Sequence, residues 1–99
     1  MSFYAYILAS GPYGTLYTGH TDDLRRRVFE HREKLRKGFT AKYGVADLVW
    51  FERFDLRENA FRRERRIKAW RRKWKIELIE SMNPQWRDLG PDLNNLLAL

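Results

Sequence analysis

The segment GTLYTGHTDDLRRRVFEH, Gly14–His31, joins a short strand pattern directly to a helix pattern. Its first part, TLYTGH, is rich in β-branched and aromatic residues, which favour a strand. Thr21 or Asp22 then offers a side-chain oxygen that can cap the start of a helix. Leu24 and Val28 follow with the four-residue spacing of a buried helical stripe. The segment therefore predicts a strand that leads into an amphipathic helix.

Strand patterns lie on both sides of this segment. FYAYILAS, Phe3–Ser10, is aromatic and β-rich, and GPYG, Gly11–Gly14, supplies the turn of a hairpin. The first helix is predicted to continue to about Leu35, which would extend its buried stripe. A loop, RKGFTAKYGVAD, and a third strand, LVWFERF at Leu48–Phe54, come next. The first half of the chain therefore reads β-β-α-β.

Two helix patterns complete the fold. Asp55 and Glu58 have the spacing of a capping box and predict a helix over about Leu56–Trp70. WRRKWKIELIESM predicts a third helix, or a bent extension of the second, which Pro84 ends. The order β-β-α-β-α-α predicts an α+β fold, a small three-stranded sheet that is at least partly antiparallel and flanked by helices.

Length, charge and cysteine content limit the class of protein. The 99 residues suggest one domain, over residues 1–89, with a partly ordered C-terminal tail over residues 90–99. Twenty Lys and Arg against 13 Asp and Glu leave a net charge of +7, which favours a polyanionic partner such as nucleic acid. With no cysteine, no signal-peptide pattern and no membrane-length apolar run, we expect a cytoplasmic protein without a membrane partner. The sequence leaves the oligomeric state open.

Three polar residues lie on or beside the predicted buried stripes. Arg27 and His31 are one helical turn apart on one face, and each can also be read as an ordinary surface or boundary residue. Glu64 is four residues after Ala60 and three before Ile67, on a stripe that should be apolar. A carboxylate there must be paired or metal-bound. An ion pair with neighbouring arginines and a ligand role for a hard cation such as Mg²⁺ are the two alternatives.

Tyrosines supply further chemistry in the strands. Strand alternation places Tyr4 and Tyr6 on one face, and Tyr17 shares a face with Gly19. A tyrosine hydroxyl in a polar cleft can relay a proton, although its reference pKa of about 10 means that it needs help from cations or from His20. Simple sheet packing is the alternative. Together with the arginine, the histidine and the carboxylate, the tyrosines suit metal-assisted phosphodiester cleavage.

This ordered set of residues resembles the GIY-YIG endonuclease superfamily over roughly Phe3–Leu89. YAY at Tyr4–Tyr6 occupies the position of the first sequence motif of the family, with a tyrosine in place of the motif's glycine. YTG at Tyr17–Gly19 occupies the position of the second motif. The stretches GFTAKYGV, RERRIKAWRRKWKIELIE and NPQWRDL resemble the small stand-alone bacterial branch, in which the nuclease module is the entire protein.

The resemblance implies a role for each matched residue. Tyr17 would help to activate the attacking water, with Tyr6 close by as an orienting group or alternative base. Arg27 would bind the scissile phosphate, and His31 would assist by hydrogen bonding or proton transfer. Glu64 would hold a single Mg²⁺ or Mn²⁺.

Further residues are implied with accessory or binding roles. His20 stands where some family members carry a lysine, and the other two accessory candidates are Tyr43 and Asn83. The basic side chains that we expect to contact the nucleic-acid backbone are Arg25, Arg26, Arg32, Lys34 and Arg66, with Lys37, Arg62, Arg71, Arg72 and Lys73 as further candidates.

Three functions therefore compete. The first is a metal-dependent endonuclease that acts on DNA in preference to RNA. The second is a non-catalytic module that holds the backbone of DNA or RNA, in which Trp70 and Trp74 either stack on bases or, as their spacing favours, belong to the core. The third is a protein-interaction domain with incidental basic charge.

Overall fold

A computed structural model describes residues 1–34 and 38–98 of the chain. It confirms the predicted α+β architecture. No helix in these two ranges is long and apolar enough to cross a bilayer. The elements are β1 (Phe3–Ala9), β2 (Leu16–Thr21), α1 (Leu24–Arg32), α2 (Phe39–Tyr43), β3 (Asp47–Phe54), α3 (Arg57–Lys68), α4 (Arg72–Met82), a 3-10 turn (Gly90–Asp92) and α5 (Leu93–Leu97).

The described strands form one antiparallel sheet in the order β2-β1-β3. β1 is therefore central and β2 is an edge strand. In the register of the hairpin, Tyr6 lies opposite Gly19. The backbone N–H of Ser10 donates to the carbonyl of Thr15 at 3.0 Å and closes the hairpin as the sequence predicts.

Alternation along β1 separates two apolar layers, one on each face of the sheet. Tyr6 and Leu8 pack with residues of α1 and α5, whereas Ile7 and its neighbours pack with residues of α3 and α4. The first layer contains Tyr4, Tyr6, Leu8, Leu24, Val28, Val45, Leu48, Leu89 and Leu93. The second contains Ala5, Ile7, Ala9, Val49, Trp50, Ile67, Ile79 and Trp86.

The helix starts differ from the predicted caps. Asp23, rather than Thr21 or Asp22, caps α1, and its carboxylate accepts a hydrogen bond from the N–H of Arg26 at 3.1 Å. Thr21 belongs to β2 and accepts from the N–H of Asp23 instead. The predicted capping box at Asp55 does not form, because α3 begins at Arg57 after an extended Leu56. Leu35 and Lys37, which the sequence analysis assigned to the helix and to the binding face, lie outside the described residues.

The segment predicted as a loop contains α2. Two glycines flank this five-residue helix, and Gly44 ends it in the left-handed conformation at φ +64°. α3 and α4 are separate helices, because the backbone is extended at Arg71. Of the alternatives left open for the WRRKW segment, the structure therefore has a third long helix.

Two apolar positions differ from the predicted burial. Trp74, expected in the core, is 47% exposed. Leu93, in the segment treated as a tail, is buried in the first layer, and the N–H of Leu89 just before it donates to Leu48 at 2.8 Å. The C-terminal residues thus pack on the same core as the rest of the chain.

Candidate active site

Glu64 on α3 contacts His20 and Lys68, and these three side chains form the carboxylate cluster. The residue is 7% exposed and lies on the buried stripe with Ala60 and Ile67, as the sequence predicts. Its Oε1 lies 2.6 Å from Nδ1 of His20, and its Oε2 accepts a hydrogen bond from Nζ of Lys68 at 2.7 Å. Lys68, one helical turn on, supplies the ion pair that the sequence analysis sought among the neighbouring arginines.

The surroundings of Glu64 hold it in the ionised form. Burial raises the pKa of the carboxyl, but the hydrogen bonds and charges of Lys68 and His20 outweigh burial and leave the pKa below its usual value. Glu64 is therefore a carboxylate at neutral pH. A deprotonated oxygen donor is what a hard divalent cation requires.

A second group of side chains, the tyrosine cluster, consists of Tyr6, Tyr17 and His31. The ring centroids of Tyr17 and His31 are 5.5 Å apart, and the ring of Tyr6 lies 6.4 Å from Tyr17 and 6.3 Å from His31. Tyr6 is 1% exposed, His31 is also buried, and Tyr17 is partly exposed. The structure therefore brings together three of the predicted site residues, and of these three Tyr17 is the partly exposed one.

Thr40 of α2 positions the ring of His31. Its Oγ1 lies 2.8 Å from Nδ1 of His31, and both side chains are buried. The sequence analysis missed Thr40, because it lies in the segment that was predicted as a loop. The short helix α2 therefore has a direct link to the tyrosine cluster.

Arg27 lies on α1 one helical turn before His31. Its Nε lies 3.3 Å from Oε1 of Glu30, and the side chain is partly exposed. Arg26 reaches the other carboxylate oxygen of Glu30 at 3.5 Å. Glu30 thus holds both guanidinium groups on one flank of α1, where their remaining donors can meet an anion.

The absence of a side chain at Gly19 makes room for Tyr6. A Cβ at position 19 would lie 2.6 Å from Oη and 2.7 Å from Cζ of Tyr6. Such distances are well inside van der Waals contact, so any larger residue would displace the ring. Gly19, the glycine of the YTG motif, therefore has a packing role in this chain.

The two clusters lie on opposite faces of the edge strand β2. Tyr17 packs on the α1 side of the sheet, whereas His20 points to Glu64 on the α3 side. Tyr17 and His20 are three residues apart, which corresponds to about 10 Å along a strand. A substrate that contacts both clusters must therefore lie across the free edge of β2.

The remaining accessory candidates have other contacts. Asn83 donates to the carbonyls of Val49 and Arg87 and accepts from the N–H of Arg87, so that its amide fixes the chain after α4 against β3. Tyr43 is half exposed, and its ring lies 4.9 Å from that of Phe39. Neither contact joins these residues to the two clusters.

The predicted binding residues are spread over several surfaces. Arg25 donates to Asn94 at 2.7 Å, and Arg32 pairs with Asp88, both on the flank of α1 away from Arg27. Lys34, after α1, and Arg66, on α3, are exposed. The predicted binding residues that the structure describes therefore do not form one stripe.

The comparison with protein families decides the class of this domain. A family profile described as "GIY-YIG catalytic domain" matches residues 2–77, which include every residue of both clusters. The chain belongs to the GIY-YIG family. It is therefore a domain of a nuclease family, whose class of partner is nucleic acid.

Relatives of this GIY-YIG domain carry the name UPF0213. The chain is 40% identical to a UPF0213 protein of Haloquadratum walsbyi over 81% of each chain. It is 33% identical to one of Clostridium perfringens over 92% of this chain and 97% of the relative. The solution NMR structure of a UPF0213 protein from Bacillus halodurans is similar with a TM-score of 0.55 and 31% identity, over 89% of this chain and 93% of that one.

Proposed function

We propose that this GIY-YIG domain is an endonuclease that hydrolyses phosphodiester bonds in DNA, in preference to RNA, with the help of one divalent cation. The observation that carries the proposal is the pair of clusters on β2. An ionised, buried carboxylate lies on one face, and two tyrosines with a histidine lie on the other. General acid–base groups and an oxygen ligand at one strand edge are the components that metal-assisted phosphodiester hydrolysis needs.

Glu64 would hold the cation. Within residues 1–34 and 38–98, no three His, Asp, Glu or Cys side chains converge as a ligand group. Mg²⁺ is commonly bound through one or two carboxylates, with waters and phosphate oxygens as its other ligands, so a single carboxylate fits this ion. Bound there, Mg²⁺ or Mn²⁺ would supply Lewis-acid stabilisation of the leaving oxygen.

The tyrosine cluster would handle the attacking water. Tyr17 is the partly exposed member of the cluster, so its hydroxyl is the group to which we assign the orientation of the water and the acceptance of its proton. Tyr6 is buried behind it and restricts its position, and His31 borders both rings. Arg27 would neutralise the charge that develops on the phosphate in the transition state.

A non-catalytic nucleic-acid-binding module is the second candidate. The observation that favours it is the pair of side-chain contacts to Glu64, because the ring nitrogen of His20 and the ammonium group of Lys68 already satisfy the carboxylate without a metal. In that case Glu64 would only hold α3 against β2, and the tyrosine cluster would be part of the core.

Cleavage assays separate the two candidates. Wild type and Glu64→Ala are incubated with supercoiled, single-stranded and branched DNA and with RNA, in Mg²⁺, Mn²⁺ or EDTA. The endonuclease proposal predicts metal-dependent products that Glu64→Ala does not form, although this variant still binds the same substrates. If pure wild type cuts none of them but binds them in a salt-sensitive manner, the binding module is correct.

A further inference from the structure

A groove of about 390 Å³ lies between α1 and the C-terminal residues, away from both clusters. Arg25, Phe29 and Arg32 line it from α1, and their spacing of four and three residues places them on one face of the helix. Arg27 is directed to the other flank, where it contacts Glu30. The groove is therefore a surface that the proposed hydrolytic site does not use.

We propose that this groove binds an unpaired nucleobase and its phosphate, and so recognises single-stranded nucleic acid. The inference rests on the proposal that the domain acts on nucleic acid, and it names the form of the substrate. Three features support it: a stacking surface, anchored cations and the charge of the whole chain.

The stacking surface is the ring of Phe29. This residue is 49% exposed, although Val28 and Leu93 beside it are buried and form an apolar floor. A flat aromatic ring over an apolar floor matches the face of a base, and such stacking contributes a factor of about 5–150 in affinity. In a duplex both faces of a base are covered by its neighbours, so this contact selects unpaired bases.

The cations at the groove are held in place. Nε of Arg25 donates to Oδ1 of Asn94 at 2.7 Å, and Nη2 of Arg32 donates to Oδ2 of Asp88 at 2.5 Å. A guanidinium carries five N–H donors, so each arginine keeps further donors for a phosphate after these bonds. The amide nitrogen of Asn94 adds a donor for a base edge at the same wall.

Charge complementarity favours nucleic acid over other occupants. The chain carries a net charge of +7, so a second copy would bring the same positive charge to this face. A polyanion is attracted by that charge and also offers the flat base that Phe29 can contact. A nucleic-acid strand thus satisfies the aromatic and the cationic parts of the groove together.

Anisotropy titrations in EDTA test the proposal without cleavage. A fluorescein-labelled 15-nucleotide single strand and the corresponding duplex are titrated with wild type, Phe29→Ala, Phe29→Tyr and Phe39→Ala. Phe39 is a matched control, because its ring is 48% exposed and does not line the groove. We expect Phe29→Ala to weaken single-strand binding 5-fold or more with little change for the duplex, and Phe29→Tyr and Phe39→Ala to bind like wild type.

Two further readouts locate the contact. A single strand that carries 5-bromouracil should crosslink to Phe29 or an adjacent groove residue under ultraviolet light, as read by peptide mass spectrometry. Thermal unfolding of each variant confirms that it is folded. Equal single-strand affinity of Phe29→Ala and wild type would overturn the groove proposal and leave the hydrolytic proposal standing, since the latter is tested by cleavage. Sedimentation that shows a wild-type dimer and a monomeric Phe29→Ala would instead assign the groove to a second copy and overturn the proposal.

Discussion

Gly19 of the edge strand lies directly against the ring of Tyr6 on the central strand. A Cβ on Gly19 would come within 2.6 Å of the tyrosine Oη. The two residues are paired in the strand register, so neither can move away without disturbing the sheet. This contact sets the position of Tyr6 behind Tyr17. It also packs the YAY motif of β1 against the YTG motif of β2.

Substitution of Gly19 by alanine should therefore destabilise the fold by overpacking. We expect Gly19→Ala to lower the free energy of unfolding by about 1–3 kcal/mol, since the inserted methyl group meets a buried ring. Urea denaturation measures the effect. Gly44→Ala is the control, because its Cβ meets no atom within 4 Å and only the left-handed backbone is strained, at about 1 kcal/mol. A smaller effect at Gly19 than at Gly44 would contradict the packing role.

The ionised state of Glu64 predicts a pH-dependent contribution to stability. The folded-state pKa is lowered, so the contribution is present above the unfolded value of about 4.3 and is lost as pH falls through the folded value. At pH 7 we expect Glu64→Gln to be less stable than wild type by roughly 1.5–3 kcal/mol, the range for hydrogen bonds to charged groups. Urea unfolding at pH 7 and pH 3 measures the difference. A gap that persists unchanged at pH 3 would mean that the ionised carboxylate is not its source.

Lys68 should compete with a divalent cation for Glu64. Its Nζ lies 2.7 Å from Oε2 of Glu64, and the positive charge opposes a second cation at the same oxygen. We therefore expect Lys68→Met to bind Mn²⁺ several-fold more tightly than wild type in calorimetric titrations. Lys73→Met, an exposed lysine on α4, is the control and should not change the affinity. Unchanged or weaker binding in Lys68→Met would argue against a metal at Glu64.

The contact between Thr40 and His31 predicts a positioning role for α2. Thr40→Val keeps the shape of the side chain but removes the oxygen at 2.8 Å from Nδ1 of His31. We expect a loss of about 1–3 kcal/mol in the free energy of unfolding, because a buried ring nitrogen loses its partner. Where cleavage is observed, its pH profile should shift as well. Thr40→Ser should restore both properties, and a serine variant that behaves like the valine variant would speak against the hydrogen bond.

Local patterns predicted the strands and the unusual position of Glu64 correctly. Period-two alternation identified β1, and the helical spacing from Ala60 to Ile67 placed the carboxylate on a buried stripe. These features depend on residues close in the chain. Lys68 lies four residues after Glu64, so the same spacing argument contained the signal for this ion pair, which the sequence analysis considered only with arginines and as one of two alternatives.

The short helix α2 and the packing of the C-terminal residues could not be predicted from such local patterns. α2 has only five residues between two glycines, which is too short for a periodic signal, so the partner of His31 was missed. The burial of Leu93 depends on a contact surface made by β1, β3 and α1, which no local pattern around residues 90–98 contains. The separation of His20 and Tyr17 onto two faces follows from alternation, but the pairing of His20 with Glu64 depends on the packing of α3 against β2, which alternation does not contain.

A double-mutant cycle tests most directly the central claim that the two faces of β2 serve one reaction. Single-turnover cleavage rates are measured for wild type, Tyr17→Phe, Glu64→Gln and the double variant, with Glu58→Gln as a control on the exposed side of α3. We expect each site substitution to slow cleavage by about 10²–10⁴-fold and the double variant to be scarcely slower than the slower single variant, since groups that act in one step are non-additive. Wild-type rates in Tyr17→Phe or Glu64→Gln, or losses that multiply fully in the double variant, would contradict a shared site across the edge of β2.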